Sequence, residues 1–112
     1  MAARKRALVV DDNPDIRTSL QAALDVMGYD TEEAEDAAQA WEVASRIRPA
    51  VMVMDGNALE VIARVKAEEK PPFVVVFSGW AHLEATARAA GADAFVLKPD
   101  FGGLERVLSG MK

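Results

Sequence analysis

Four short runs of almost purely apolar residues occur along the chain, and each of them stops at a polar side chain. The runs cover residues 7–10, 51–54, 73–77 and 94–97. Because they lack polar alternation, they are typical of strands buried on both faces, as in a parallel sheet covered by helices. The residues that directly follow the runs are Asp11, Asp55, Ser78 and Lys98. Parallel strands end along one edge, so this pattern gathers the four side chains where open α/β sheets bind ligands.

Apolar residues at helical spacing fill the intervals between these strands. Asn13 is the expected N-cap of the first helix, Pro14 its first residue and Gly28 its stop. Further helices are predicted at 37–47, from 59 to the stop at Pro71–Pro72, at 81–90 and, over about two turns, around 104–108. The polar, acidic segment 29–34 is predicted to be an edge strand. Fivefold alternation of strand and helix predicts an α/β fold, a doubly wound (βα)5 sandwich with a five-stranded parallel sheet.

Length, charge and composition exclude several classes of protein. At 112 residues we expect a single domain over 1–112, with no output domain. The absence of cysteine excludes disulfides and thiolate metal sites. An apolar run of at most five residues is too short to cross a bilayer, and a net charge of −5 argues against nucleic acid or an anionic membrane as partner. A cytoplasmic location is the expectation.

Three carboxylates at one sheet edge favour a bound divalent cation. Asp11, Asp12 and Asp55 would repel one another unless a cation lay among them, and Mg²⁺ prefers such oxygen ligands. A carboxylate can also accept a phosphoryl group, a transfer that needs mainly positioning and charge neutralisation. Taken singly, an aspartate before a helix is usually a cap. Capping, however, does not call for Ser78 and Lys98 at matching strand ends, so the combination predicts phosphoryl acceptance.

Over nearly its whole length the chain resembles the receiver domains of two-component response regulators, which have the flavodoxin-like, CheY-like fold. The most specific stretch is 91–99, GADAFVLKP, which leads into the fifth strand. By this resemblance Asp55 is the phosphoacceptor. The pair Asp11 and Asp12 holds Mg²⁺, with Asp12 as the direct ligand, and the backbone carbonyl of Asn57 also binds the metal.

The same resemblance implies a switch and its partners. Ser78 matches the hydroxyl that meets the phosphoryl group, and Lys98 matches the invariant lysine, joined to Pro99 by a cis bond. Phe95 falls where a switch aromatic usually lies, and it fits the core equally well. A sensor histidine kinase or histidine phosphotransfer protein would supply the phosphoryl group, and a downstream protein would respond. No enzyme activity is expected beyond self-catalysed phosphorylation and dephosphorylation.

The chain departs from the family pattern directly after the acceptor. Residues 55–60, DGNALE, lack the usual Met-Pro, and the loop is about five residues short. Because that loop helps to shape the metal site, a second hypothesis stays open: a pseudo-receiver that serves as a phosphorylation-independent protein-interaction module. A metabolic or flavin-binding protein is disfavoured, since no glycine-rich phosphate loop follows any strand.

Overall fold

The computed structural model describes residues 4–110 and contains one parallel sheet of five strands. The strands are β1 (Arg6–Val10), β2 (Asp30–Ala34), β3 (Val51–Met54), β4 (Phe73–Ser78) and β5 (Ala94–Leu97). Their order across the sheet is β2-β1-β3-β4-β5, and each neighbouring pair is parallel. This order and direction confirm the predicted doubly wound (βα)5 sandwich.

Within the described part of the chain, five α-helices cover the two faces of the sheet. They are α1 (Pro14–Val26), α2 (Ala37–Ile47), α3 (Ile62–Lys66), α4 (Glu84–Ala90) and α5 (Phe101–Gly110). Short 3₁₀ helices at Gly56–Val61 and Ala81–Leu83 precede α3 and α4. No helix within residues 4–110 is long and apolar enough to cross a membrane.

The apolar core lies in two layers because successive residues of each strand face opposite sides of the sheet. One layer joins alternate strand residues such as Leu8 and Met52 to α2, α3 and α4. The other joins the intervening residues, such as Val9 and Val53, to α1 and α5. All residues of β1 after Arg6 and all of β3 are buried, whereas only Ala34 of β2 is, as predicted for central and edge strands.

Most predicted helix ends are observed, but the third and last helices differ. Asn13 caps α1 by accepting hydrogen bonds from the next amides, and Gly28 follows the helix with φ +99°. The third helix starts at Ile62 rather than at 59, because a 3₁₀ helix precedes it. The third helix ends at Lys66, well before Pro71–Pro72, because a separate turn follows it. The last helix is ten residues long, more than the two turns expected. The Asp100 carboxylate accepts the Gly103 N–H at 2.7 Å, so the helix begins before its first apolar marker.

Candidate functional site

Backbone hydrogen bonds hold the predicted site residues at the carboxyl ends of the strands. The Asp55 N–H donates to the carbonyl of Val10 at 2.8 Å, and the Lys98 N–H donates to that of Ser78 at 2.8 Å. The Asp11 N–H likewise donates to the last residue of β2 at 3.1 Å. Because these bonds continue the ladders of the sheet, the site has the rigidity of the sheet itself.

Lys98 joins two of the three predicted carboxylates. Its Nζ donates to Asp11 Oδ2 at 2.8 Å and to Asp55 Oδ1 at 3.1 Å. The Asp11 side chain is 2% exposed, and those of Asp55 and Lys98 are 18% and 20% exposed. Burial by itself lowers the pKa of Lys98, but the hydrogen bonds and charges of both aspartates outweigh it and raise the pKa above its usual value. Lys98 is therefore positively charged at neutral pH.

Three carboxylates converge at this edge. One oxygen from each of Asp11, Asp12 and Asp55 lies within 4.8 Å of the others. Asp11 is already engaged through both oxygens, because Oδ1 accepts the Asn13 N–H at 2.9 Å and Oδ2 accepts from Lys98. One amine faces three acids, so the edge carries excess negative charge. This all-oxygen donor set suits a hard cation such as Mg²⁺.

Helix capping accounts for Asn13 but not for Asp55. The N-cap of α1 is Asn13, whose side-chain oxygen accepts from the amide of Asp15 at 2.9 Å. Asp55 stands at the N-cap position of the first 3₁₀ helix, yet its side chain makes no capping hydrogen bond there. The Asp55 carboxylate pairs with Lys98 instead, so its position is not explained as a cap.

The Ser78 hydroxyl lies against the residue that follows the predicted acceptor. Ser78 is fully buried, and its Oγ accepts the Trp80 N–H at 3.1 Å. A Cβ added to Gly56 would lie 3.3 Å from this oxygen and 2.5 Å from Leu83 Cδ1. A side chain at position 56 would therefore require the Leu83 side chain to move. The shortened loop after Asp55 is packed directly against the β4–α4 connection.

The remaining predicted residues lie at the margins of this cluster. Asn57 is exposed and forms part of the 3₁₀ helix that starts immediately after Asp55. Phe95 is partly buried and packs against the core layer of α2, α3 and α4. The peptide bond between Lys98 and Pro99 is cis, as the family resemblance implied.

Arg17 is a residue of this region that sequence reasoning missed. Its Nη1 donates to the backbone carbonyl oxygen of Asp11 at 2.8 Å, and its side chain is only 11% exposed. The available signal was weak: an arginine early in α1 and an acidic strand later in the chain. Neither feature reveals that the guanidinium reaches the turn between β1 and α1.

Comparison with known proteins shows the family to which this chain belongs. Residues 7–108 match the model of the response regulator receiver domain, so the chain belongs to this family. It is a receiver domain of the response regulators of two-component systems, which makes it a signalling domain.

Similar curated proteins are longer regulators. The response regulator protein PilR of Pseudomonas aeruginosa is 30% identical over 115 residues, which cover 96% of this chain and 26% of that protein. The transcriptional regulatory protein PrrA of Mycobacterium leprae is 32% identical over 101 residues, covering 84% of this chain and 43% of that protein. The chain thus spans less than half the length of these relatives.

Solved structures agree on the fold. A CheY-like receiver domain from Methylobacillus flagellatus superposes with a TM-score of 0.86 at 20% identity, covering 98% of this chain and 100% of that one. The response regulator TrrA of Thermotoga maritima, solved in complex with Mg²⁺-BeF, has a TM-score of 0.83 at 28% identity. That match covers 94% of this chain and 96% of the other. The CheY-like fold is thereby confirmed.

Proposed function

We propose that this receiver domain accepts a phosphoryl group on Asp55 with Mg²⁺ bound, and that phosphorylation changes its affinity for a downstream protein. The observation that carries the proposal is the pair of hydrogen bonds from Lys98 to Asp11 and Asp55. They bring the acceptor, Asp11 and the amine into one site. Neither bond involves the third carboxylate, Asp12, which lies close by without a part in this pairing. A surplus of negative charge beside a phosphoacceptor favours a cation.

The proposed metal ligands follow from what each carboxylate already does. Both oxygens of Asp11 are occupied, whereas Asp12 is exposed and only one oxygen of Asp55 pairs with Lys98. We therefore assign direct ligation to Asp12 and Asp55 and a supporting role to Asp11. The backbone carbonyl of Asn57 completes the proposed set. Bound Mg²⁺ would neutralise charge on the transferred group's oxygens, and the Mg²⁺-BeF complex of TrrA supports a metal at such a site.

The phosphoryl donor is a phosphohistidine on a sensor histidine kinase or histidine phosphotransfer protein. An Asp55 carboxylate oxygen forms the new bond to phosphorus while the bond between phosphorus and the histidine nitrogen breaks. The imidazole leaves neutral after it takes up a proton. Lys98, which pairs with Asp55 beforehand, is placed to contact an oxygen of the transferred group.

The response to phosphorylation would start at Ser78. Its hydroxyl oxygen accepts a hydrogen bond from the Trp80 N–H. If the Ser78 side chain rotated towards the phosphoryl group, this bond would break and the connection leading to α4 would be released. Phe95 packs on the core layer that includes α4, and we propose that it moves with this helix. The face around α4, β5 and α5 would then present a changed surface to the downstream protein.

The test is phosphorylation by a small donor. Purified protein incubated with acetyl phosphate and MgCl₂ should gain the mass of one phosphoryl group, and Asp55→Asn should abolish the gain. Asp15→Asn removes an exposed carboxylate on the first turn of α1 and serves as the matched control that stays competent.

One observation favours the second hypothesis, a pseudo-receiver. The 3₁₀ helix begins directly at Gly56, so the loop that follows the proposed acceptor is shorter than the usual loop of the family. A folded wild-type protein that gains no mass under these conditions would establish this alternative. The same sheet edge would then serve a constitutive protein-interaction module.

A further inference from the structure

We propose that Arg17 is a positioning residue that fixes the turn carrying Asp11 and Asp12. This inference rests on the proposed function, because it assigns Arg17 a part in metal binding. The guanidinium lies next to the site without belonging to its acidic cluster. It acts on the backbone of the cluster, and no step of the phosphoryl transfer requires it to touch the reacting atoms.

The contacts of Arg17 join three separate segments of the chain. Nη1 donates to the Asp11 carbonyl oxygen at 2.8 Å, in the turn between β1 and α1. Nε donates to Glu33 Oε1 at 2.5 Å, and Nη2 lies 3.7 Å from Glu35 Oε1. Glu33 is in β2, and Glu35 follows that strand. Such multiple use of a planar guanidinium gives directional hold as well as attraction.

The acceptor atom explains why this hold matters for the site. The Asp11 carbonyl belongs to the peptide unit that links Asp11 to Asp12, and a peptide unit is planar. Fixing its oxygen therefore fixes the orientation of the Asp12 backbone. The next amide, that of Asn13, donates to Asp11 Oδ1 at 2.9 Å. Arg17 and this second bond together constrain the backbone that carries both acidic side chains, and Mg²⁺ requires near-ideal ligand geometry.

Two glutamates allow the positively charged Arg17 to hold the turn although it lies beside the proposed Mg²⁺ site. The hydrogen bond from Arg17, followed by one from Gln21, lowers the pKa of Glu33, so Glu33 is ionised at neutral pH. Together with Glu35 it offsets the charge of the guanidinium. Arg17 can thus hold the turn without strongly repelling a bound metal ion.

The test compares two arginines that both pair with β2, of which Arg17 also contacts the turn. Arg17→Gln and Arg46→Gln each remove one positive charge that pairs with a glutamate of β2. Arg46 lies 3.8 Å from Glu32 and is 62% exposed, and its recorded contact does not involve the turn. We expect Arg17→Gln to speed hydrogen exchange of the amides of residues 11–13 in metal-free protein about tenfold. Mg²⁺ affinity by calorimetry should fall about tenfold, while Arg46→Gln changes each by less than about twofold.

The results of these measurements either support or overturn the positioning role of Arg17. Unchanged exchange at residues 11–13 in Arg17→Gln overturns the positioning role, and so does a tighter Mg²⁺ affinity, which would mean that charge repulsion dominates. A wild-type protein that binds no Mg²⁺ removes the proposed function, yet the exchange measurement still tests the hold on the turn. If Arg17→Gln fails to fold, Arg17→Lys keeps the charge with a single donor group. It should show faster exchange at the same amides, and wild-type exchange there would refute the proposal.

Discussion

Lys66 and Lys98 lie at opposite edges of the sheet, Lys66 where the strands begin and Lys98 where they end. The two sites differ in how many carboxylates surround the lysine amine. At the amino-terminal edge, Lys66 Nζ donates to Asp93 Oδ2 at 2.7 Å and to the Pro72 carbonyl at 3.0 Å. The same Asp93 oxygen accepts the Val74 N–H at 2.8 Å. One amine meets one carboxylate, and the surrounding hydrogen bonds serve only to tie α3 to β4 and β5.

At the carboxyl-terminal edge a lysine again pairs with carboxylates, but here the carboxylates outnumber the amine. Lys98 meets two carboxylates, and a third, Asp12, lies within 4.8 Å of them. A fold gains nothing from crowding like charges, since each unmatched carboxylate raises the energy of the others. An ion pair of one amine with one carboxylate, as at the balanced amino-terminal edge, is explained by its structural role alone. A site with more carboxylates than amines, as at the surplus carboxyl-terminal edge, indicates that it binds a cation.

The largest expected effect comes from removing the amine at the surplus edge. Lys98→Met leaves the buried Asp11 carboxylate and Asp55 without their counter-charge. Breaking a buried pair from one side costs about 3–5 kcal/mol, and the partial exposure of Lys98 reduces this to about 2 kcal/mol. Urea denaturation without metal should show this loss. Lys70→Met, which removes an exposed lysine, is the control that leaves stability unchanged.

The pH dependence sharpens this prediction. The pKa of Lys98 is raised above its usual 10.5 in the folded protein, so its stabilising effect is complete at neutral pH. The effect is lost as the pH rises above 10.5 through the folded pKa. The stability difference between wild type and Lys98→Met should therefore narrow only at strongly alkaline pH. A difference that stays constant there would contradict the ion-pair explanation.

A smaller effect is expected at the balanced edge. Lys66→Met leaves Asp93 with its hydrogen bond from Val74 and with access to water, since the Asp93 side chain is 31% exposed. We expect a loss of about 1 kcal/mol in unfolding free energy. Mg²⁺ affinity and phosphorylation by acetyl phosphate should not change. A weaker Mg²⁺ affinity in this variant would show that the two edges are coupled and would remove the contrast.

The sequence predicted the surplus edge but not the balanced one, for a physical reason. Burial of β1, β3 and β4 on both faces leaves apolar runs, and parallel strands end together. Asp11 and Lys98 could therefore be placed side by side although they lie 87 positions apart. Lys66 and Asp93 carry no comparable mark, because a lysine ending a helix and an aspartate before a strand occur widely without meeting.

Hydrogen bonds to backbone groups explain the other omissions. Arg17 was missed because its acceptor is a carbonyl oxygen, which every residue has and no sequence pattern distinguishes. The early start of α5 depends in the same way on an amide, that of Gly103, which Asp100 caps. The direct 3₁₀ start at Gly56 agrees with the shortened loop. Its contact with Leu83 depends on the position of the β4–α4 connection, which the pattern of residues does not specify.

The smallest expected effect has the opposite sign to the others. Asp12→Asn removes one carboxylate from the surplus and should raise the unfolding free energy of metal-free protein by about 0.5 kcal/mol, because exposed charges interact weakly. Added salt should shrink this gain by screening. Asp15→Asn is the matched control: an acid in the first turn of α1 stabilises the helix, so its removal should cost a little stability.

Wild type and Asp12→Asn should also differ in how much Mg²⁺ stabilises them. A ligand that binds only the folded state stabilises it in proportion to its affinity, so saturating Mg²⁺ should stabilise the wild type more than Asp12→Asn. The order of the two stabilities would then reverse between metal-free and metal-saturated protein, while Asp15→Asn keeps its rank. If Asp12→Asn is destabilising without metal, the three carboxylates do not repel one another appreciably, and charge surplus is no longer an argument for a ligand at this edge.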